Sequence, residues 1–359
     1  MNIFLALFML IGGFVLLIKG ADWFVEGASS VAKLLKVPAI IIGLTVVAFG
    51  TSLPEASVSI SSAIAGMNAL AVSNVVGSNI FNTLVVLGAS ALIVPVCVQP
   101  DSVKKEIPFS ILCTAALLAA LLLGMNAGAA ETTYTIGRIG GLVLLAVFAF
   151  YMYWQVSAAL KVRKAGDSGE EDEVKVLSPL KSLIFIVVGV ACIIVGGNFV
   201  VDGASAIAIK FGMSETLVGM TIVALGTSLP ELVTSMIAAK KGESDLALGN
   251  AIGSNIFNIV FVIGFSAFIS PITVDILAVI DTIAVIGVSA LALVFSATGK
   301  KISRAEGAAM VAAYAGYFVY MFVRYRVRGV AQLVARHVRD VEVGSSSLLT
   351  PTFFNLIKV

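Results

Sequence analysis

Long apolar runs recur along nearly the whole chain and limit its possible folds more than any other feature. Each run is close to the roughly 17–25 residues that a helix needs to cross about 30 Å of hydrocarbon. The ten runs are 3–18, 39–65, 71–94, 107–124, 137–160, 180–200, 215–239, 245–269, 275–297 and 305–323. Only 12% of the residues are charged. Because an open sheet edge cannot satisfy its backbone groups in lipid, we predict an all-α membrane protein with ten transmembrane helices.

The placement of Lys and Arg predicts the orientation of these helices. With the N-terminus outside, the loops that face the cytoplasm carry fifteen Lys and Arg residues, and the opposite loops carry only Arg138 and Lys210. The positive-inside rule therefore favours an outside N-terminus in a multi-pass protein of the cell membrane. Residues 1–18 lack a basic start and a small-residue cleavage pattern, so this run is expected to remain as the first helix.

The chain contains an internal duplication. Residues 43–55 (GLTVVAFGTSLPE) match residues 219–231 (GMTIVALGTSLPE) at 10 of 13 positions, with an offset of 176. Residues 71–82 (AVSNVVGSNIFN) match residues 247–258 (ALGNAIGSNIFN) at 8 of 12 positions with the same offset. Since each half holds five runs, an odd number, the second half must enter the bilayer from the opposite side. We predict two inverted five-helix repeats with broken helices at the midplane, as in secondary transporters.

These repeats define the predicted domain boundaries. The first repeat is assigned to residues 1–160 and the second to 182–325, joined by a charged cytoplasmic linker at 161–181. The tail at 326–359 is polar, basic and unrepeated. We interpret it as a disordered or non-native extension, with a juxtamembrane helix as the alternative.

Two glutamates mark the centre of the duplicated motif. Glu55 and Glu231 lie 10 and 8 residues from the nearest ends of their apolar runs, about 12–15 Å along a helix. Acids at that depth almost always face the bundle interior and mark ion paths. The alternative, a protonated or structurally paired acid, is disfavoured because the spans offer no Lys or Arg partner.

A proline precedes each glutamate. Pro54 and Pro230 cannot donate a backbone hydrogen bond, so each helix is predicted to kink or unwind there and to release carbonyl ligands. Hydroxyl side chains three and four residues before each acid are predicted to share its helical face. They are Thr51 and Ser52 in the first repeat and Thr227 and Ser228 in the second.

The second motif of each repeat predicts the other wall of the site. Polar residues spaced by four form a stripe on each helix: Asn74, Ser78 and Asn82, and again Asn250, Ser254 and Asn258. Asn79 and Asn255 lie about 100° away from these stripes and are predicted to cap or cross-brace the broken helices. Gly77 and Gly253 are predicted to allow close helix approach.

The predicted ligands are all hard oxygen donors: carboxylates, hydroxyls, amide oxygens and backbone carbonyls. Such a set suits Ca²⁺ and Na⁺, and suits Mg²⁺ less well. A Zn²⁺ or Cu⁺ site would need Cys and His, but the three cysteines are scattered and the single histidine, His337, lies in the tail. We expect no cofactor.

GTSLPE followed by GSNIFN, present twice, resembles the two α-repeats of the sodium/calcium exchanger branch of the cation/Ca²⁺ antiporter superfamily. The resemblance covers residues 1–325 and implies a ten-helix fold with four clustered ion sites. It assigns Ca²⁺ to Glu55 and Glu231 with carbonyls near Thr51 and Thr227. It assigns Na⁺ to the same acids with Ser52, Ser228, Ser78, Ser254 and the carbonyls of Ala48 and Ala224. Asn82 and Asn258 complete the centre.

The resemblance also predicts the activity, Ca²⁺/Na⁺ antiport by alternating access, in a prokaryotic-type exchanger whose linker is too short for a regulatory domain. Some potassium-dependent relatives carry aspartate at the position of Asn258, so its amide argues against K⁺ co-transport. Two alternatives are Ca²⁺/H⁺ antiport and a passive cation channel. No HExxH or catalytic Ser/His arrangement is present, so we expect no enzyme. We expect a functional monomer in the lipid bilayer without a nucleic-acid partner.

Overall fold

Helices dominate the computed structural model, which describes residues 1–127, 132–165, 176–213, 218–321 and 323–324. Of the predicted linker at 161–181, residues 166–175 lie outside this description, and the predicted tail at 326–359 lies wholly outside it. In chain order the helices are α1 (Ile3–Leu35), α2 (Ala39–Thr51), α3 (Leu53–Ile64), α4 (Asn68–Ile93), α5 (Ser102–Leu123), α6 (Arg138–Ala165), α7 (Pro179–Lys210), α8 (218–226), α9 (Leu229–Lys240), α10 (Ser244–Ile269), α11 (Ile276–Gly299) and α12 (304–321).

Several of these helices are long and apolar enough to cross a bilayer. Within the described ranges there are seven of them, and an eighth if α2 and α3 count as one bent span. Together they define a helical multi-pass membrane protein. The chain separates into two compact units, Met1–Val311 and Ala312–Val359. The first unit holds α1 to α11. In the second unit, the ring centroid of Tyr317 lies 6.4 Å from that of Tyr314 and 6.4 Å from that of Tyr320.

Helices α1 and α7 form a long antiparallel pair. Glycines repeat every seven residues on both helices, at Gly13, Gly20 and Gly27 and at Gly189, Gly196 and Gly203. A Cβ at any of these six positions would lie 2.7 or 2.8 Å from a heavy atom of the partner helix. The backbones can approach closely only because the side chains are absent. Both helices extend beyond the apolar runs at 3–18 and 180–200: α1 has 33 residues and α7 has 32.

The two runs that carry the glutamates are each divided into two helices, as predicted. Helix α2 ends at Thr51, α3 begins at Leu53, and their axes differ by 52°. In the second repeat α8 and α9 are separated by a turn at Thr227 and Ser228. Proline is the second residue of both α3 and α9. A proline in the first helical turn is tolerated because the backbone donors there have no intrahelical acceptor.

Turns of π-helix interrupt the helices at related positions, which the sequence did not predict. They cover Gly43–Val47, Asn82–Val86, Gly219–Val223 and Phe257–Ile263, with a further one at Ser102–Glu106. Each inserts a residue into the helical register and is typical of functional sites. Four of the five begin within a duplicated motif: two start at the first residue of 43–55 and 219–231, and two start in the last two residues of 71–82 and 247–258.

Short strands in the connections depart from the all-α prediction. Strands β1 (Val96–Cys97) and β5 (Lys301–Ile302) pair antiparallel. Strands β2 (Met125–Ala127), β3 (Thr132–Ile136) and β4 (Ile272–Val274) form an antiparallel sheet in the order β2-β3-β4. These strands lie between the apolar runs, where edge groups are not exposed to hydrocarbon.

Candidate ion-binding site

Glu55 and Glu231 lie in the first turns of α3 and α9, directly after the helix breaks. Both side chains are completely buried, with 0% exposure. The first turn of a helix carries unpaired N–H groups and the positive end of the helix dipole, so a carboxylate is favoured there. The break thus places each acid deep in the protein while providing local electrostatic compensation.

Each glutamate accepts a hydrogen bond from the other repeat. Ser228 Oγ lies 2.9 Å from Glu55 Oε1, and Ser52 Oγ lies 2.7 Å from Glu231 Oε1. The two carboxyl groups also interact electrostatically. We predicted that each serine shares a helical face with the acid of its own repeat, and that prediction was wrong. Ser52 adopts φ −85° and ψ 10° at the break, so no continuous helical face connects it to Glu55.

The first polar residue of each stripe supports the backbone behind the acid. Asn74 Nδ2 donates to the Glu55 carbonyl at 3.3 Å and to Ser59 Oγ at 2.9 Å. In the second repeat Asn250 Nδ2 donates to the Glu231 carbonyl at 3.3 Å and to Ser235 Oγ at 2.9 Å. The two amide nitrogens therefore hold α3 against α4 and α9 against α10.

Hydroxyl groups connect the two halves further. Ser78 Oγ lies 3.1 Å from Ser228 Oγ, and Thr51 Oγ1 donates to Asn250 Oδ1 at 2.9 Å. The Ala48 carbonyl accepts the Ser52 N–H at 3.1 Å, so this predicted ligand is engaged in the structure. Thr227 and Ala224 lie at the related positions beside the second break.

Asn79 and Asn255 form a cross-brace, as predicted, but the bonds join α4 to α10 and not the broken helices α2–α3 and α8–α9. Asn79 Nδ2 donates to the Asn255 carbonyl at 3.1 Å, and Asn258 Nδ2 donates to Asn79 Oδ1 at 3.3 Å. Asn255 Nδ2 donates to Thr83 Oγ1 at 2.8 Å. Thr83 was missed because it lies outside the duplicated pattern. Its counterpart at the 176-residue offset is Ile259, and this mismatch was the available signal.

The prediction of close approach is confirmed for one of the two glycines. A Cβ at Gly253 would lie 2.7 Å from Ala48 Cβ and from Leu44 Cα. A Cβ at Gly77 would meet nothing within 4 Å among the atoms that the structure describes. The side chains related to Leu44 and Ala48 lie outside the described part of the chain, so close approach at Gly77 stays a prediction.

Several oxygens at the centre have no hydrogen-bond partner among the described residues. They are Glu55 Oε2, Glu231 Oε2, Ser254 Oγ, Asn82 Oδ1 and Asn258 Oδ1. An unsatisfied buried acceptor is costly, and an unsatisfied buried carboxylate more so. The set contains anionic and neutral hard oxygens from four helices, which are the ligands that Ca²⁺ and Na⁺ take. The arrangement can accept desolvated cations as substrates.

The fold and this site define a membrane transporter of cations of the cation/Ca²⁺ antiporter class. The family model described as "Sodium/calcium exchanger protein" matches residues 5–157 and 181–323. The chain therefore belongs to the sodium/calcium exchanger family.

Individual relatives agree with this assignment. The putative antiporter CaxA of Alkalimonas amylolytica is 40% identical over 88% of this chain and 98% of its own length. The sodium/calcium exchanger MaX1 of Methanosarcina acetivorans is 32% identical over 88% of this chain and 97% of its own length. The solved structure of the sodium-calcium exchanger NCX_Mj soaked with zero Na⁺ and Ca²⁺ has a TM-score of 0.75 and 31% identity, and covers 89% of this chain and 99% of that chain.

Proposed function

We propose that the protein exchanges Ca²⁺ for Na⁺ by alternating access through the site around Glu55 and Glu231. One observation carries this proposal: two fully buried carboxyl groups from duplicated motifs meet at one site, and each has an oxygen without a hydrogen-bond partner in the described structure. The relatives MaX1 and NCX_Mj are both named sodium/calcium exchangers, which supports the same choice of ions.

The ligands follow from the chemistry of the site. We assign Ca²⁺ to the two carboxylates together with backbone carbonyls near Thr51 and Thr227. Na⁺ uses the same carboxylates and the neutral oxygens around them, which belong to Ser52, Ser228, Ser78, Ser254, Ala48 and Ala224. Asn82 and Asn258 complete the centre with amide oxygens. This set is anionic enough for one divalent ion and rich enough in neutral oxygens for several monovalent ions.

Exchange follows from the cost of an unloaded site. Two carboxylates without a counter-ion are expensive to keep in a low-dielectric interior. Reorienting the empty site across the bilayer therefore has a high barrier, whereas a loaded, neutralised site can switch its exposure. One ion leaves only when the other replaces it.

The packing of the two repeats supports alternating access within an inverted ten-helix architecture, with repeats at 1–160 and 182–325. On the α2 side, Leu44 and Ala48 pack against Gly253. On the opposite side, a Cβ at the corresponding residue, Gly77, would meet no described atom within 4 Å. With the N-terminus outside, α2 closes the cytoplasmic side of the site, and we infer that the side of Gly77 is open to the outside. Interchanging these two arrangements would move the opening of the ion site from one side of the membrane to the other. A monomer contains both repeats and is therefore sufficient for exchange.

The direct test is ⁴⁵Ca²⁺ uptake into Na⁺-loaded proteoliposomes. We expect the wild type to accumulate Ca²⁺, driven by the outward Na⁺ gradient. Glu55→Gln and Glu231→Gln should each lose at least about 90% of the uptake rate, because each removes a buried charge from the site. Asp101→Asn is the matched control, since Asp101 is an acid with 69% side-chain exposure in an ion pair with Lys105.

The same vesicles separate the alternatives. Uptake driven by a pH gradient without Na⁺ would replace Na⁺ by H⁺ as the counter-ion. Uptake without any counter-ion gradient would indicate a channel, and persistent exchange in both glutamine variants would refute the site.

A further inference from the structure

The two central amides, Asn82 and Asn258, occupy related positions in the duplicated motif but have different surroundings. Both are fully buried. Asn258 Nδ2 is held by Asn79 Oδ1 at 3.3 Å, so its unbonded Oδ1 is oriented away from the cross-brace. Neither Nδ2 nor Oδ1 of Asn82 has a partner among the described residues. One amide is oriented by the protein and the other is not.

Thr83 is the residue that distinguishes the two halves of the cross-brace. Its hydroxyl accepts from Asn255 Nδ2 at 2.8 Å and donates to the Asn79 carbonyl at 2.8 Å. The related position in the second repeat is Ile259, which offers no hydrogen bond. The bond that would mirror the one from Asn258 Nδ2 to Asn79 Oδ1 runs from Asn82 Nδ2 to Asn255 Oδ1. Thr83 fixes the Asn255 amide through its Nδ2, and neither Asn255 Oδ1 nor Asn82 Nδ2 has a partner among the described residues, so the mirror bond is not formed.

The bonds of this network lead from Thr83 to the ion site. The Thr83 hydroxyl connects the Asn255 side chain to the backbone of Asn79. Asn79 lies on α4, and its side chain bonds to residues of α10. Asn79 donates to the Asn255 carbonyl at 3.1 Å and accepts from Asn258. All of these groups are buried, where satisfied polar networks are rigid. Removing one member loosens the bond that orients Asn258.

We propose that Thr83 is a positioning residue for ion selectivity: through Asn255 and Asn79 it orients Asn258 as a fixed ligand and thereby favours Na⁺ loading. The inference rests on the proposed exchange function. One Ca²⁺ is held chiefly by the two carboxylates, whereas several Na⁺ ions share those two charges and depend more on neutral oxygens. An oriented neutral ligand therefore contributes more to the binding of Na⁺ than to that of Ca²⁺.

The test compares Thr83→Val, which keeps the side-chain shape but removes the hydroxyl, with Ile259→Val as the matched control. We expect Thr83→Val to raise the Na⁺ concentration for half-maximal exchange on the order of 10-fold, the lower end of the effect of residues that support metal ligands. The half-maximal Ca²⁺ concentration should change less than about twofold, since the carboxylates are untouched. Thr83→Ser should restore the wild-type value, and Ile259→Val should leave both unchanged.

Double variants test whether Thr83 acts through Asn258. In an Asn258→Ala background Thr83→Val should add no further Na⁺ effect, whereas in an Asn82→Ala background its effect should persist. A shift of equal size for Na⁺ and Ca²⁺, no shift at all, or an undiminished effect in the Asn258→Ala background would overturn the proposal.

Binding is also measured without transport, by the rise in unfolding temperature of the detergent-solubilised protein on titration with NaCl or CaCl₂. A wild type without Na⁺-driven Ca²⁺ uptake would refute the exchange function. A wild type that exchanges, together with a Thr83→Val variant that binds Na⁺ normally, would refute only the role of Thr83.

Discussion

At the residue scale, the serines and glutamates of the two repeats are paired crosswise. Ser228 donates to Glu55 and Ser52 donates to Glu231. Each carboxyl group is therefore stabilised by a hydroxyl from the opposite half, and a charge-assisted bond in a buried site is stronger than a neutral one. This crossing ties the two helix breaks together, because each carboxyl group is bonded to a serine at the other break.

The crossed pairing is measurable in a double-mutant cycle on thermal unfolding in detergent without ions. Ser228→Ala should lower the free energy of unfolding by about 1–3 kcal/mol because it leaves a buried acceptor unpaired. Ser228→Ala and Glu55→Gln should couple by about 0.5–3 kcal/mol, whereas Ser52→Ala and Glu55→Gln should be nearly additive. Stronger coupling of Ser52 with Glu55 than of Ser228 with Glu55 would contradict the crossed geometry.

Sequence reasoning identified the acids but not their partners. Glu55 and Glu231 were predictable because an acid deep in an apolar run has few explanations, and the duplication presented it twice. The crossing was not predictable, because it depends on the backbone angles at Ser52 and on how two distant segments meet. Thr83 was hidden for a similar reason: its importance comes from Asn255, which is 172 residues away.

At the element scale, the glycine spacing on α1 and α7 sets the distance between the two longest helices. At Gly20 a Cβ would lie 2.7 Å from Cys192 Cβ and 2.8 Å from the Gly189 carbonyl oxygen. These neighbouring atoms belong to the α7 backbone or are attached directly to it, so they cannot move aside as the end of a flexible side chain could. The packing of this pair therefore depends on the absence of side chains at these positions.

Substituting these glycines tests the helix pair. Gly20→Ala should destabilise the protein by about 1–3 kcal/mol, the usual cost of overpacking, although alanine is the better helix former by about 1 kcal/mol. Gly12→Ala is the matched control on the same helix, because a Cβ there meets nothing within 4 Å. It should leave the unfolding temperature unchanged or raise it slightly. Equal behaviour of the two variants would rule out the close approach.

This stripe could have been predicted, because Gly13, Gly20 and Gly27 recur at the 176-residue offset as Gly189, Gly196 and Gly203. The lengths of α1 and α7 would have followed from it. The π-helical turns could not have been predicted in the same way. They use ordinary residues such as Thr45 and Val46, and their extra residue is detectable only from the hydrogen bonds of the folded chain.

At the scale of the whole molecule, duplication and asymmetry act together. Two copies of one motif supply a symmetric pair of acids, while Thr83 in one copy and Ile259 in the other make the surroundings of that pair unequal. The sequence predicts the symmetric part, since the repeats are visible in it. It does not predict the tight contact of Leu44 and Ala48 with Gly253, because that contact depends on how segments about 200 residues apart pack in the folded chain.

Inverted repeats would place related residues on opposite membrane faces. Ile64 and Lys240 are the last residues of α3 and α9, are related by the 176-residue offset, and are both exposed. If the repeats are inverted and the N-terminus is outside, a cysteine at position 64 faces outward and one at position 240 faces the cytoplasm. Parallel repeats would place both on one face.

The measurement is labelling by a membrane-impermeant maleimide, in a chain whose Cys97, Cys113 and Cys192 are replaced by alanine. We expect Ile64→Cys to react in right-side-out vesicles and Lys240→Cys only in inside-out vesicles, with both reacting fully after detergent is added as the control for reactivity. Because the two cysteines occupy equivalent points of the same motif, local reactivity cannot produce opposite sidedness. Labelling of both from the same face would therefore refute inverted repeats, and reversed sidedness would place the N-terminus in the cytoplasm while leaving the inversion intact.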